Sequence, residues 1–260
     1  TAADRARYGS WGPVINWPHV PVSAANLPDG RILTFASNQR TSFPRGPEFT
    51  YAAVYNPANG QITEINHNSH DMFCGHLVML EDGKPYIMGG RNTVRSTSVF
   101  NYLSNTWERK ENMNDGRWYP TATAMEDGSV TIASGSGGTN TVEKYTPNVG
   151  WSRLTGINWS SIAGATGFES NWWPYNFLAP NGKIFHGGPT DQMHWVDTSG
   201  NGSLTSAGRN VPGSYYPKHA GVAMYEVGKI IVAGGAPSPG SGTGATLSLI
   251  HISEPTRRYL

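Results

Sequence analysis

The chain has 260 residues, a net charge of +1 and only 14% charged residues. That balance gives no electrostatic case for nucleic acid or an anionic membrane, and no apolar run is long enough to span a bilayer as a helix. A single cysteine excludes an intramolecular disulfide, while 32 glycines, 18 prolines and 11% aromatics suit short strands joined by tight turns.

Five segments repeat one plan along the chain: a small or apolar run, a polar turn with glycine, an alternating apolar strand, then a small-residue stop. The first runs from Ala24 through Asp29-Gly30 to Leu33. The second runs from His76 through Asp82-Gly83 to Met88 and stops at Gly89-Gly90. The third covers Thr121 to Ile132 and stops at Ala133-Ser134-Gly135; the fourth covers Asn176 to Phe185 and stops at Gly187-Gly188. The fifth runs from Gly221 to Val232 and stops at Gly234-Gly235. Asp-Gly between alternating apolar runs is a strong hairpin signal, because glycine takes the positive φ of the turn.

Further strands are expected at Tyr51–Tyr55, Ser98–Tyr102 and Val142–Tyr145, with Trp107, Trp151 and Trp195 opening outer strands. The turn glycines recur at intervals of about 50 residues, the period of kelch-type blades. The expected fold is therefore all-β, a kelch-type β-propeller of five blade repeats over residues 1–246. From Leu247 to Arg257 the pattern breaks, and the residues read codon for codon as a translated transposon-type sequencing adapter. Residues 247–260 are expected to be a non-native tail.

Cys74 and Tyr119 occupy equivalent places, just ahead of the second and third hairpins. That register brings them side by side. His67, His70, Asp71 and His76 also cluster in sequence, but strand alternation sends such residues to opposite faces. The acids Asp71, Asp115 and Glu169 show none of the pairing that a sugar-cleaving enzyme needs.

The strings Trp11-Gly12-Pro13, His70-Asp71-Met72-Phe73-Cys74, Gly116-Arg117-Trp118-Tyr119 and Gly188-Pro189-Thr190 carry a resemblance. So do Met193-His194-Trp195, Thr198-Ser199-Gly200 and Ser206-Ala207-Gly208. With them the chain resembles the galactose oxidase and glyoxal oxidase family, the copper-radical oxidases. The resemblance implies a portion of a seven-bladed propeller from a secreted enzyme that oxidises a primary alcohol or aldehyde with O2 and releases H2O2. It implies copper and a Cys–Tyr thioether radical cofactor, with Cys74 and Tyr119 as the catalytic and cofactor residues and Tyr119 as the metal ligand. Phe43 and Trp118 are the implied substrate-pocket residues, and the partners are a small alcohol, aldehyde or carbohydrate and O2.

The chain departs from the family pattern in three places. Gly135-Ser136-Gly137-Gly138 replaces the tryptophan that covers the cross-link, leaving Trp172 or Trp173 to do so. Glu169 falls near a basic pocket residue of galactose oxidase, which argues for small aldehydes or simple primary alcohols over galactose. No Tyr-His pair supplies the remaining copper ligands, so this chain is expected to be inactive by itself. A non-catalytic kelch-type binding propeller is the alternative.

Overall fold

The computed structural model describes residues 9–137, 140–163, 172–190, 192–209, 220–235 and 246–251, together with Asp4 and Arg7. Five antiparallel sheets follow one another along the chain. The first holds β1 (Ser23–Asn26), β2 (Ile32–Phe35), β3 (Ala52–Asn56) and β4 (Gln61–Glu64). The second holds β5 (His76–Met79), β6 (Pro85–Met88), β7 (Thr97–Asn101) and β8 (Thr106–Lys110). The third holds β9 (Thr121–Ala124), β10 (Val130–Ala133), β11 (Val142–Thr146) and β12 (Gly150–Arg153). The fourth holds β13 (Asn176–Leu178), β14 (Ile184–His186), β15 (Gln192–Asp197) and β16 (Ser203–Arg209). The fifth holds β17 (Gly221–Glu226), β18 (Lys229–Gly234) and β19 (Thr246–His251).

Each sheet is a meander in sequence order: a short turn joins its first two strands, while longer connections, such as residues 36–51 between β2 and β3, lead to the third. The Asp-Gly turn of the second sheet sets the register of Leu77 opposite Ile87 and Val78 opposite Tyr86, with Gly83 at φ 76°. Inner strands are buried on both faces: all four residues of β6 and of β10 are buried. The last strand of a sheet is mostly exposed, as in β8, where Trp107 and Lys110 alone are half-buried. Trp107 and Trp151 lie in β8 and β12 as expected, but Trp195 lies in the third strand of its sheet, β15.

The cores lie between successive sheets. Leu33 and Val54 meet Phe100; Val78, Tyr86 and Met88 meet Val130 and Ile132; Ala133 and Val142 meet Ile184 and Val196. Phe185 meets Ile230 and Val232. Burying each such side chain contributes about 1.5–3 kcal/mol. At the inner edge, β5 lies against β9 and β9 against β13. The hairpin that carries Cys74 and the one that carries Tyr119 are therefore neighbours.

The expectation of a kelch-type β-propeller is corrected here. Among the described residues no sheet closes on itself and the five sheets do not close into a ring. Local turns fix the pairing inside each segment. Closure would need a core between the fifth sheet and the first, and the observed clusters join sheets only to their neighbours in sequence. What stands is an all-β chain of separate antiparallel sheets, without a closed seven-bladed propeller or kelch repeat.

Helix is scarce among the described residues: a 3-10 turn at Arg91–Thr93, the short helix α1 (Ser160–Ala163), and the helical positions Asp4 and Arg7. Among these residues no helix is long and apolar enough to cross a membrane. The start of the expected tail forms β19, paired along its length with β18 from His251↔Lys229 to Thr246↔Gly234. Glu169 lies outside the described residues.

Candidate active site

The loop from His70 to Gly75 is pinned before it reaches β5. Thr50 Oγ1 donates to the His70 carbonyl at 2.7 Å and accepts from the Met72 N–H at 2.9 Å. His70 is wholly buried and bonds through both ring nitrogens, to the Gly89 carbonyl at 2.8 Å and Ser98 Oγ at 2.9 Å. A carbonyl can only accept, so Nε2 carries the proton and Nδ1 accepts from Ser98. Burial holds His70 neutral, with its pKa lowered to about 3. His67 meets the same Ser98 hydroxyl at 2.8 Å, and burial lowers its pKa to about 4. Both histidines thus brace the loop. Asp71 accepts from the Phe73 N–H at 3.2 Å, but its Oδ2 is buried without a partner, and burial raises its pKa to about 6.

Cys74 and Tyr119 are brought together as their register implies. The Tyr119 N–H donates to the Cys74 carbonyl at 3.0 Å, and the side chains interact. Both residues sit in the left-handed region, at φ 59° and 64°. Such a conformation costs about 1–3 kcal/mol for a residue other than glycine. It is held because Tyr119 is fastened at both ends, its own carbonyl accepting from the Trp173 N–H at 3.0 Å.

Three indoles enclose the Tyr119 ring. Trp118 stacks on it at 4.5 Å and 19°, while Trp172 and Trp173 tilt against it at 4.5 and 4.4 Å. Trp172 and Trp173 thus supply the cover that the glycine-rich stretch after β10 lacks. Trp172 is itself fixed there, donating Nε1–H to Ser136 Oγ at 2.9 Å. Burial raises the Tyr119 hydroxyl pKa, and Cys74 beside it adds to the rise. Of the two expected pocket residues, Trp118 thus packs directly on Tyr119, while Phe43 stacks on Phe73, the residue before Cys74, at 4.8 Å and 14°.

The copper and thioether expectations are corrected. Copper(II) needs several nitrogen and oxygen donors in a near-square array. The rings packed on Tyr119 are indoles, His67 and His70 are spent on Ser98 and Gly89, and among the described residues no group of three or more His, Cys, Asp or Glu could hold a metal. A lone tyrosine does not make a copper site. Cys74 is a free cysteine, and burial raises its thiol pKa to about 11, which keeps it protonated. At pH 8 it should hold about a hundredfold less thiolate than a thiol at the ordinary value. Iodoacetamide labelling of the folded chain is expected to be slow and to quicken about tenfold per pH unit between pH 7 and 9. Rapid labelling that levels off near pH 8 would contradict this. Denatured chain is expected to label fully at Cys74, as a free thiol does.

Sequence reasoning missed two arginines. Arg117 is wholly buried and pairs with the wholly buried Glu143 at 3.0 Å, just below Trp118 and Tyr119. Arg91 is buried between the Phe73 and Trp118 rings. The only signal was an arginine directly after a double-glycine stop, and another directly before the Trp-Tyr pair.

A scan of protein-family models finds no match. Galactose oxidase of Gibberella zeae is 30% identical over 265 residues, covering 95% of this chain and 39% of that protein. A WSC domain-containing protein of Arthroderma benhamiae is 28% identical over 142 residues, 45% of this chain and 14% of that protein. The solved structure of a fungal alcohol oxidase of the AA5 family, in complex with copper, superposes with a TM-score of 0.85 at 28% identity, over 94% of this chain and 53% of that one. The chain spans about two fifths of the length of the galactose oxidase it matches. This chain is homologous to galactose oxidase and the AA5 copper-radical oxidases, at moderate identity, and is of enzymatic lineage without a copper-ligand cluster of its own among the described residues.

Proposed function

We propose that this chain is a portion of a secreted oxidase that converts a primary alcohol to an aldehyde, or a hydrated aldehyde to an acid, with O2 reduced to H2O2. Two electrons and two protons leave the substrate and appear in the peroxide, so the reaction balances with O2 alone as oxidant. Cys74 and Tyr119 are the catalytic residues and Phe43 and Trp118 line the substrate pocket. The observation that carries this is the fastened Cys74–Tyr119 pair inside its indole enclosure, in a chain alignable with galactose oxidase along 95% of its length. Neutral phenol and thiol, both held protonated by partial burial, sit half-buried against the aromatic faces of Trp118, Trp172 and Trp173. Small alcohols and aldehydes are the proposed substrates before galactose, with residues 247–260 foreign to the enzyme.

The chain by itself is proposed to be inactive, since it spans only part of the oxidase. Peroxide release should be compared for this chain and for a version extended to the length of its relatives, over glycerol, benzyl alcohol, methylglyoxal and galactose. The expected result is none from the chain, and release from the longer version with galactose the poorest substrate. Release from the chain alone, or a clear preference for galactose, would contradict the proposal.

A further inference from the structure

The cluster around Cys74 holds a positive charge that the oxidation leaves unassigned. Arg91 is 7% exposed and opens the 3-10 turn that follows Gly90. Its guanidinium lies over the Phe73 ring at 4.5 Å and the Trp118 ring at 5.5 Å. Among the described residues no carboxylate pairs with it, and its buried Nε has no hydrogen-bond partner. Other buried arginine in this chain is treated differently: Arg117 reaches Glu143, Thr141 and the Ser134 carbonyl. The same neighbourhood holds a second buried orphan, Asp71 Oδ2, on a residue 1% exposed. Asp71, Cys74 and Tyr119 all lie within reach of the Arg91 charge.

A buried charge with no hydrogen-bonded partner is costly, and Asp71, near it but not bonded to it, offsets only part of that cost. Two aromatic faces offset part of that cost and lock the plane of the guanidinium. They leave its rim of N–H donors as the only part that can bond. That rim is a fork that matches a carboxylate with two parallel hydrogen bonds.

We propose that Arg91 is a carboxylate-binding residue beside the Cys74–Tyr119 pair, and that this site takes small carboxylic acids carrying a primary alcohol or aldehyde. The carboxylate binds the guanidinium rim and the short carbon chain lies along Phe73 and Trp118. The alcohol end is then directed toward Tyr119. The assignment of an oxidisable end rests on the proposed function; the carboxylate site does not.

Calorimetric titration of the full chain with glycolate, acetate and ethylene glycol tests the site without turnover. Glycolate and acetate are expected to bind saturably and ethylene glycol not to bind. Arg91→Gln should weaken both carboxylates by at least about tenfold. Arg91→Lys, which keeps the charge but loses the fork, should weaken them less but measurably. Tryptophan fluorescence checks that each variant is folded, and if the glutamine variant is not, the lysine variant decides. No carboxylate binding by the unaltered chain, or equal affinity in either folded variant, would overturn the proposal. Carboxylate binding lost in Arg91→Gln, with no peroxide from the longer version, would keep the site and overturn the oxidase reading. Peroxide without carboxylate binding would do the reverse.

Discussion

Replacing Glu143 with glutamine, or Arg117 with methionine, is expected to destabilise the chain by about 3–5 kcal/mol, because each change leaves one member of a buried ion pair uncompensated. Both side chains are wholly buried. Glu143 accepts four hydrogen bonds: from Arg117 at 3.0 Å, the Asn114 N–H at 2.7 Å, Asn114 Nδ2 at 2.8 Å and the Asp115 N–H at 3.1 Å. The network widens through Thr141 to Asp115, which Arg153 holds with two bonds at 3.0 and 2.7 Å. Hydrogen bonds from Arg153 lower the Asp115 pKa to about 2. The network also sits under the site, since the Arg117 carbonyl accepts from the Gly90 N–H at 2.8 Å. The double change to two apolar residues should recover only part of the loss, because it removes both charges but leaves the Asn114 and Asp115 N–H groups without their acceptor. Equal melting of Glu143→Gln and the unaltered chain in urea would mean that the pair contributes little.

The register of the hairpins was legible in sequence because an Asp-Gly turn and an apolar alternation specify the same local pairing. So was the meeting of Cys74 and Tyr119, which follows from repeated placement ahead of β5 and β9. Ring closure was not legible, since it depends on contacts between ends of the chain that no local pattern encodes. Nor was the metal site: copper on Tyr119 was inferred from strings that a relative shares, and only packing shows that indoles surround that ring. Arg91 escaped notice because an isolated arginine in a turn reads as solvated, and only packing shows that two aromatic faces enclose it. The sheet places Trp195 in β15 and not at an outer edge, a shift of one strand that periodicity cannot see.

Gly90→Ala is the second change expected to have a large effect, a loss of about 3 kcal/mol or more. Gly90 sits at φ 147° and ψ −163°, a region open only to glycine, and an added Cβ would overlap the carbonyl oxygen of Asp71. Backbone meets backbone there, so no side-chain rotation relieves it. The strain would fall on three things at once: the Asp71 loop, the Gly90 bond to Arg117 and the seat of Arg91. Loss of cooperative melting, or a midpoint lowered well beyond that of Gly60→Ala in an open turn, is the expected result. Gly60 also has positive φ but open space around it, so the comparison isolates the close approach. Equal midpoints would show that the Asp71 carbonyl moves aside freely.

The central claim is that Cys74 and Tyr119 form the reacting pair of an alcohol or aldehyde oxidase. Peroxide release by the version extended to its relatives' length, before and after Tyr119→Phe, tests it most directly. The substitution removes one oxygen and leaves the ring among Trp118, Trp172 and Trp173, so the fold should persist. Peroxide is expected to fall by about a hundredfold or more, with Cys74→Ala also lowering it and the melting midpoint nearly unchanged. Full peroxide release by a folded Tyr119→Phe variant would contradict it.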